Sequence, residues 1–251
     1  MHGPGAAERQ RDLMQTIDTI VIVGRTNKAR ESDAIRSMVN CLHSEGYALH
    51  WFESNYRTSY DRMTVWIDRR CPAVSTSNRG RFQRLRRAAR LALRLALIAG
   101  DRHRLDHGYA IRHGIIANEA RELGLLLDRM ARGSIALITH SAGGIAATRI
   151  AEHPAIGAIA CFGYPFKHPD NPPEAYRTQH LPGVSKPMLL LQGDRDPYGN
   201  DPIALKDRLP SHARITMLAC DHDCDRLENS EFERALSTLR ALLDGTAART
   251  A

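Results

Sequence analysis

The sequence has few cysteines, and they are scattered. Its 251 residues contain five: Cys41, Cys71, Cys161, Cys220 and Cys224. An odd, scattered set is typical of free thiols in a reducing compartment and argues against a disulfide framework. Cys220, His222 and Cys224 are close enough in sequence to suggest metal ligands. A second ligand pair at zinc-finger spacing is absent, however, so we expect no metal and no cofactor.

The chain also lacks any apolar run of about 18 residues, the length that would span a bilayer. Its first 18 residues lack the apolar core of a signal peptide. Together these absences predict a cytoplasmic protein without a transmembrane segment. Residues 1–15 are polar and contain Gly3, Pro4 and Gly5, which predicts a flexible terminus. We predict that the remainder, 16–251, forms a single domain, although the length would also allow two small ones.

What the sequence does contain is centred on residues 134–144, which read SIALITHSAGG. The apolar run 135–138 predicts a buried strand that breaks into a tight turn around Ser141. Small residues at 145–153 predict a helix closed by Pro154. A strand, a sharp turn with a central serine and a helix form a nucleophile elbow. Thr139 occupies the place of the usual first glycine, so an ordinary glycine-containing turn is the alternative.

A serine becomes a nucleophile when a base takes its proton and a third group orients that base. The segment 193–197 follows a predicted strand and offers Asp196, with Asp194 as the alternative. After the last predicted strand, His222 lies among acidic residues. The competing interpretations are an acidic turn that caps its own loop and a surface histidine. We interpret His140 as a positioning or packing residue, because adjacent residues on an elbow point apart.

The rest of the chain predicts an α/β fold with a mostly parallel sheet and helices on both faces. The first unit is a strand at 19–24, a helix at 32–43 capped by Ser32 or Asp33, and a strand at 47–52. Further predicted strands are 155–162, 187–193 and 214–218, and further predicted helices are 113–132, 201–209 and 228–243.

Arginine dominates the basic residues, and the formal net charge is +7. Residues 79–98 mix arginines with leucines and predict a basic amphipathic helix within an insertion at about 54–106. This helix could lie on an anionic membrane, bind another anionic partner or cover a pocket mouth. The alternative is a helix that packs its leucines on the core and exposes its arginines.

Four stretches resemble the α/β-hydrolase fold with a reduced core. They are 139–144 (THSAGG), 162–165 (FGYP), 191–199 (LQGDRDPYG) and 221–222 (DH). Within that fold they are similar to the hydrolase-like family related to the testis-expressed proteins and a regulatory subunit of the non-specific-lethal complex. The likeness covers the C-terminal half well and the first strand–helix–strand unit loosely.

The resemblance implies a serine hydrolase acting on a small-molecule ester or related acyl bond through Ser141, His222 and Asp196. It also implies an oxyanion hole built from the backbone NH groups of Ala142 and Arg25. The family's usual His-Gly after the first strand is absent here. A non-catalytic scaffold that binds an acidic partner through the arginine-rich segment is the alternative.

Overall fold

The computed structural model describes residues 17–28, 32–75, 82–130 and 134–245. The predicted flexible terminus at 1–15 and positions 79–81 of the arginine-rich segment lie outside these ranges. The chain divides into two compact units. The first comprises the residues up to Phe52 and from Leu123 onward, and the second is Glu53–Glu122.

The first unit contains a six-stranded, entirely parallel sheet in the order β2-β1-β3-β4-β5-β6. Its strands are β1 Thr19–Val23, β2 Ala48–Trp51, β3 Ile135–His140, β4 Ile156–Phe162, β5 Met188–Gly193 and β6 Arg214–Leu218. The order reverses between β1 and β3. In parallel sheets, functional groups gather beyond the carboxyl ends of the strands at such a switch point.

Both faces of this sheet are buried. On one face Ile20, Ile138 and Leu189 belong to a cluster that includes residues of the first and last helices. Side chains alternate between faces along a strand, and the alternate residues, among them Leu137 and Leu190, are equally buried. The predicted α/β class, with a sheet covered on both faces, is therefore confirmed.

Eight α-helices lie in the described ranges. They are α1 Asp33–Ser44, α2 Asn55–Arg70, α3 Gln83–Ala99, α4 Arg104–His113, α5 Ile115–Leu127, α6 Ala142–Arg149, α7 Pro202–Lys206 and α8 Asn229–Leu243. Ser32 caps α1, since its side chain accepts a hydrogen bond from the backbone NH of Ile35. This decides between the two predicted caps.

Three predicted helices have different bounds. The helix expected over 201–209 is shorter, Pro202–Lys206. The helix expected over 113–132 ends at Leu127 and begins only at Ile115, because Gly114 has φ 91° and separates it from α4. The elbow helix expected over 145–153 starts earlier, at Ala142, and ends at Arg149. Pro154 therefore does not end that helix, which stops several residues before it.

The second unit is helical, and several polar contacts connect its helices. The Glu122 carboxylate accepts hydrogen bonds from the backbone NH groups of Asn55 and Tyr56 at 2.6 and 3.1 Å, which caps the start of α2. Arg57 pairs with Glu119 in the same unit. Hydrogen bonds and ion pairs thus connect the helices of this unit.

The arginine-rich helix α3 carries arginines and leucines on both its buried and its exposed faces. Arg90 is buried and donates to the Asp68 carboxylate at 2.6 Å. The Arg94 guanidinium lies 4.1 Å from the centre of the Tyr60 ring. Leu91 and Leu95 are half exposed. Acceptors on α2 pair with these arginines, and this compensates the cost of burying their charge.

Candidate functional site

Ser141 lies directly between β3 and α6 and has a backbone conformation that few residues adopt. Its φ is 54° and its ψ is −125°. Among the described residues other than glycine, only Ser141 and Cys224 have positive φ. Such a conformation costs on the order of 1–3 kcal/mol and persists only where the surroundings enforce it. The turn therefore presents the Ser141 side chain at the carboxyl end of the sheet.

The two glycines after Ser141 allow β1, β3 and α6 to approach closely. A Cβ at Gly143 would lie 2.2 Å from the carbonyl oxygen of Val23. A Cβ at Gly144 would lie 2.9 Å from the Tyr164 ring and 3.2 Å from the Thr139 hydroxyl. Because Gly144 has no side chain, the Thr139 side chain fits in the space beside it. This explains how the turn tolerates a threonine in place of the usual first glycine.

A continuous chain of hydrogen-bonding distances connects Ser141, His222 and Asp196. The Ser141 Oγ lies 2.8 Å from His222 Nε2, and His222 Nδ1 lies 2.9 Å from Asp196 Oδ2. Asp196 follows β5 and His222 follows β6. All three residues are more than nine-tenths buried. The structure therefore brings together the three residues that the sequence singled out.

The Asp196 carboxylate is fixed by groups other than His222. Gln192 Nε2 donates to Asp196 Oδ2 at 2.7 Å, and the Tyr198 backbone NH donates to Oδ1 at 2.8 Å. Gln192 also accepts from the Tyr164 backbone NH at 2.9 Å and donates to the Gly199 carbonyl at 2.8 Å. These donors supply the hydrogen bonds that a carboxylate without access to solvent requires. Gln192 thus connects the loops that follow β4 and β5.

Two further residues pack against His222. Gly163 has φ 56°, and a Cβ there would lie 2.5 Å from the His222 carbonyl oxygen. The Tyr198 ring centre lies 4.3 Å from that of His222, with an interplanar angle of 35°. The sequence pattern assigns no role to Gly163, Gln192 or Tyr198, which lie in the segments that carry the family resemblance. For Gln192 a signal existed, since it is a polar residue in an otherwise apolar strand.

Asp194, the alternative acid, lies outside this arrangement. Its side chain is about half exposed and pairs with Arg195 at 3.3 Å. Asp196, two residues later, is the fully buried carboxylate beside His222. Strand β5 ends at Gly193, so the turn decides which carboxylate points inward.

His140 is buried beside the site, next to His222. Its ring centre lies 6.1 Å from that of His222. Burial, together with the nearby His222, lowers the pKa of His140 to about 4. A neutral ring at this position places no second positive charge beside His222 when His222 takes up a proton. This agrees with a positioning or packing role.

The two residues suggested for an oxyanion hole lie on neighbouring elements. Ala142 is the first residue of α6, where backbone NH groups have no acceptor within the helix. Arg25 comes shortly after β1, next to the Val23 and Gly24 carbonyls that pack on Gly143. The Arg25 guanidinium lies 3.5 Å from Asp223. The ends of β1 and α6 thus meet at the switch point beside Ser141.

Among the described residues, no group of three or more histidine, cysteine, aspartate or glutamate side chains is placed to hold a metal ion. In the same ranges, every helix is too short or too polar to cross a membrane.

Comparison with solved structures shows the same fold. A monoacylglycerol lipase from Paleococcus ferrophilus superposes with a TM-score of 0.54 at 11% identity, covering 92% of this chain and 96% of that chain. An esterase from Pyrococcus furiosus gives a TM-score of 0.51 at 12% identity, covering 91% of this chain and 82% of that chain. At these identities the likeness describes the fold alone. No curated protein matches the sequence.

A family model described as an alpha/beta hydrolase domain matches residues 116–248. That range is more than half of the 251 residues and contains Ser141, Asp196 and His222. The elbow, the parallel sheet and the order of the three residues along the chain agree with this match. The chain therefore belongs to the alpha/beta hydrolase domain family.

Proposed function

We propose that this protein is a serine hydrolase that cleaves a carboxylic ester or a related acyl bond of a small molecule. The observation that carries the proposal is the pair of distances at His222: 2.8 Å to Ser141 Oγ and 2.9 Å to Asp196 Oδ2. This arrangement supports an activated serine in a buried environment, where acyl transfer is the expected chemistry.

In the proposed mechanism His222 Nε2 takes the Ser141 proton as Oγ attacks the acyl carbon. Asp196 holds His222 in the tautomer with a proton on Nδ1 and stabilises the imidazolium. His222 then protonates the leaving alcohol, and an acyl group remains on Ser141. A water molecule deprotonated by His222 releases the acid and restores the serine. Backbone NH groups at Ala142 and Arg25 would donate to the oxyanion in both steps, each contributing about 100- to 1000-fold in rate.

The test is labelling of the full chain with a fluorophosphonate probe, together with turnover of matched ester, thioester and amide substrates. We expect labelling of wild type and of Ser37→Ala, an exposed serine on α1, and no labelling of Ser141→Ala or His222→Ala. Turnover of the ester but not the amide would narrow the bond class. Labelling that persists in Ser141→Ala would overturn the proposal.

Within the family, we further propose that this chain lies near the hydrolase-like group related to the testis-expressed proteins. The support is the sequence of the elbow, 139–144, and of the loop after β5, which includes Asp196. An alignment restricted to these segments and to the Gln192 position would test it. A better match of those segments to other groups of the family would contradict it.

A second candidate function is binding of an anionic partner by α3. Arg84 and Arg87 are exposed on this helix, as are Phe82 and Leu85. Arg90, paired with Asp68, is not available for such binding. The test is binding to anionic lipid vesicles and to nucleic acid at low and high salt, with Arg84→Gln/Arg87→Gln as the variant. Absence of binding at low salt would exclude this function.

A further inference from the structure

Two buried cysteines flank His222 in the loop after β6. Cys220 and Cys224 are both free thiols, and their sulfur atoms lie 3.4 Å apart. Cys224 is fully buried and Cys220 nearly so. Of the other cysteines, Cys41 lies on α1 and Cys161 on β4. The close pair is therefore confined to the loop that carries His222.

The backbone already brings the two thiols towards each other. Cys224 has φ 54°, one of two positive values among the described residues other than glycine. The Cys224 carbonyl accepts a hydrogen bond from Ser32 at 3.3 Å, which anchors this end of the loop to α1. A disulfide bond is about 2.05 Å long, so the sulfur atoms must approach by roughly 1.4 Å to form one.

We propose that Cys220 and Cys224 form a redox-active dithiol, and that its oxidation by a hydroperoxide closes a disulfide that displaces His222 from Ser141. The effect on activity rests on the proposed function of Ser141, whereas formation of the disulfide does not. The disulfide would close a five-residue loop with His222 at its centre.

The chemistry needs one hydroperoxide for each disulfide. The Cys220 thiolate attacks the terminal oxygen of the hydroperoxide, the O–O bond breaks, and the products are a sulfenic acid and an alcohol. The Cys224 sulfur then attacks the Cys220 sulfur, and the sulfenic oxygen leaves as water with the released protons. A dithiol reductant reverses the oxidation by thiol–disulfide exchange.

Cys220 is the thiol that reacts first. It retains slight exposure, whereas Cys224 has none. The hydrogen-bonding contact between the two thiols also lowers the pKa of Cys220 and raises the pKa of Cys224. The thiolate is the nucleophile that attacks the hydroperoxide, so its stabilisation at Cys220 favours the first step at that sulfur.

The loop has little room to absorb the closure without moving His222. The carbonyl oxygens of Cys220 and Asp221 would lie 2.5 and 2.6 Å from a Cβ at Gly193, and the His222 carbonyl 2.5 Å from a Cβ at Gly163. The loop is thus packed against backbone on two sides. A displacement of about 1 Å at a reacting group costs about 100-fold in rate. Formation of the disulfide should therefore lengthen the distance between Ser141 Oγ and His222 Nε2.

The experiment treats the full chain with tert-butyl hydroperoxide and follows three readouts. Trypsin should release residues 215–226, ITMLACDHDCDR, which contains both cysteines and no other. We expect this peptide to lose two hydrogens and resist alkylation. The rate of fluorophosphonate labelling should fall by about 10- to 100-fold, and dithiothreitol should restore it. The imidazole NMR signals of His222 should change with the same time course.

Cys220→Ser and Cys224→Ser each prevent the disulfide from forming. The fluorophosphonate labelling rate of each variant should therefore be the same before and after peroxide treatment. Cys71→Ser, in the second unit, is the matched control and should remain as sensitive as wild type. Full alkylation of peptide 215–226 after peroxide would overturn the proposal, and so would a disulfide that leaves the His222 signals unchanged. If reduced wild type is not labelled at all, the proposed hydrolase function fails, while the mass and NMR readouts still decide the proposal on the dithiol.

Discussion

His222 Nδ1 lies 2.9 Å from Asp196 Oδ2, and the Asp196 side chain is fully buried. A buried carboxylate at this distance favours the tautomer of His222 that leaves Nε2 free to accept the Ser141 proton. The contact joins the loops after β5 and β6, which are adjacent strands of the sheet. In the proposed mechanism each of the three residues has a separate role that mutation can test.

Asp196→Asn should lower kcat/KM by about 1,000- to 10,000-fold, because the amide nitrogen presents a donor to His222 Nδ1 and favours the wrong tautomer. The matched control is Asp194→Asn, whose side chain is half exposed and pairs with Arg195. Ester hydrolysis under steady-state conditions measures both. Equal losses in the two variants would contradict the role given to Asp196.

Gly143→Ala should strongly impair folding and labelling, because its Cβ would lie 2.2 Å from the Val23 carbonyl oxygen and 2.7 Å from that of Gly24. Both contacts are with backbone, so neither can be relieved by a side-chain rotation. The control is Gly124→Ala on α5, where a Cβ meets nothing within 4 Å. That control should be neutral or stabilise by up to about 1 kcal/mol. Urea unfolding and probe labelling measure the two effects.

Acidification should destabilise the fold through His140. Its pKa is lowered from 6.5 to about 4 in the folded chain, so below pH 6.5 the unfolded chain binds a proton that the folded chain does not. The contribution of His140 to the free energy of unfolding is therefore fully present above about pH 6.5 and is lost as the pH falls towards 4. Between pH 7.5 and 5 the loss from this residue is about 2 kcal/mol.

Urea unfolding of wild type and His140→Gln at both pH values measures this loss. The variant should lose about 2 kcal/mol less than wild type on acidification, whatever its stability at pH 7.5. Burial also lowers the pKa of His180 to about 4. His180→Gln serves as a control, because it should leave unchanged the loss of stability that His140 causes on acidification. An identical pH dependence in wild type and His140→Gln would refute the assignment.

The orientation of α3 predicts an unusual pair of mutational effects in the second unit. Arg90→Leu should destabilise it by about 1–3 kcal/mol, because the partly buried Asp68 carboxylate loses the guanidinium that pairs with it. Leu91→Arg should change stability by less than about 1 kcal/mol, because Leu91 is more than half exposed. Thermal unfolding monitored by circular dichroism compares them. The reverse order of effects would mean that the leucines face inward.

Much of the first unit follows from local sequence. Apolar runs at 19–23 and 188–191 are typical of strands buried on both faces of a parallel sheet, and the small residues after Ser141 allow a sharp turn. The three candidate residues Ser141, Asp196 and His222 can likewise be identified from the sequence, because each follows a predicted strand. These features are local, since they depend on residues within one strand and the turn after it.

The tertiary structure decided what depends on residues far apart in the chain. Gln192 holds Asp196 because two loops meet there, and Asp196 rather than Asp194 faces His222 because the turn after β5 points only one of them inward. Arg90 is buried because α2 places Asp68 opposite it. Periodicity describes one helix or strand at a time and assigns apolar residues to the interior. Only the packing of separate elements determines which buried charges find partners and which leucines remain exposed.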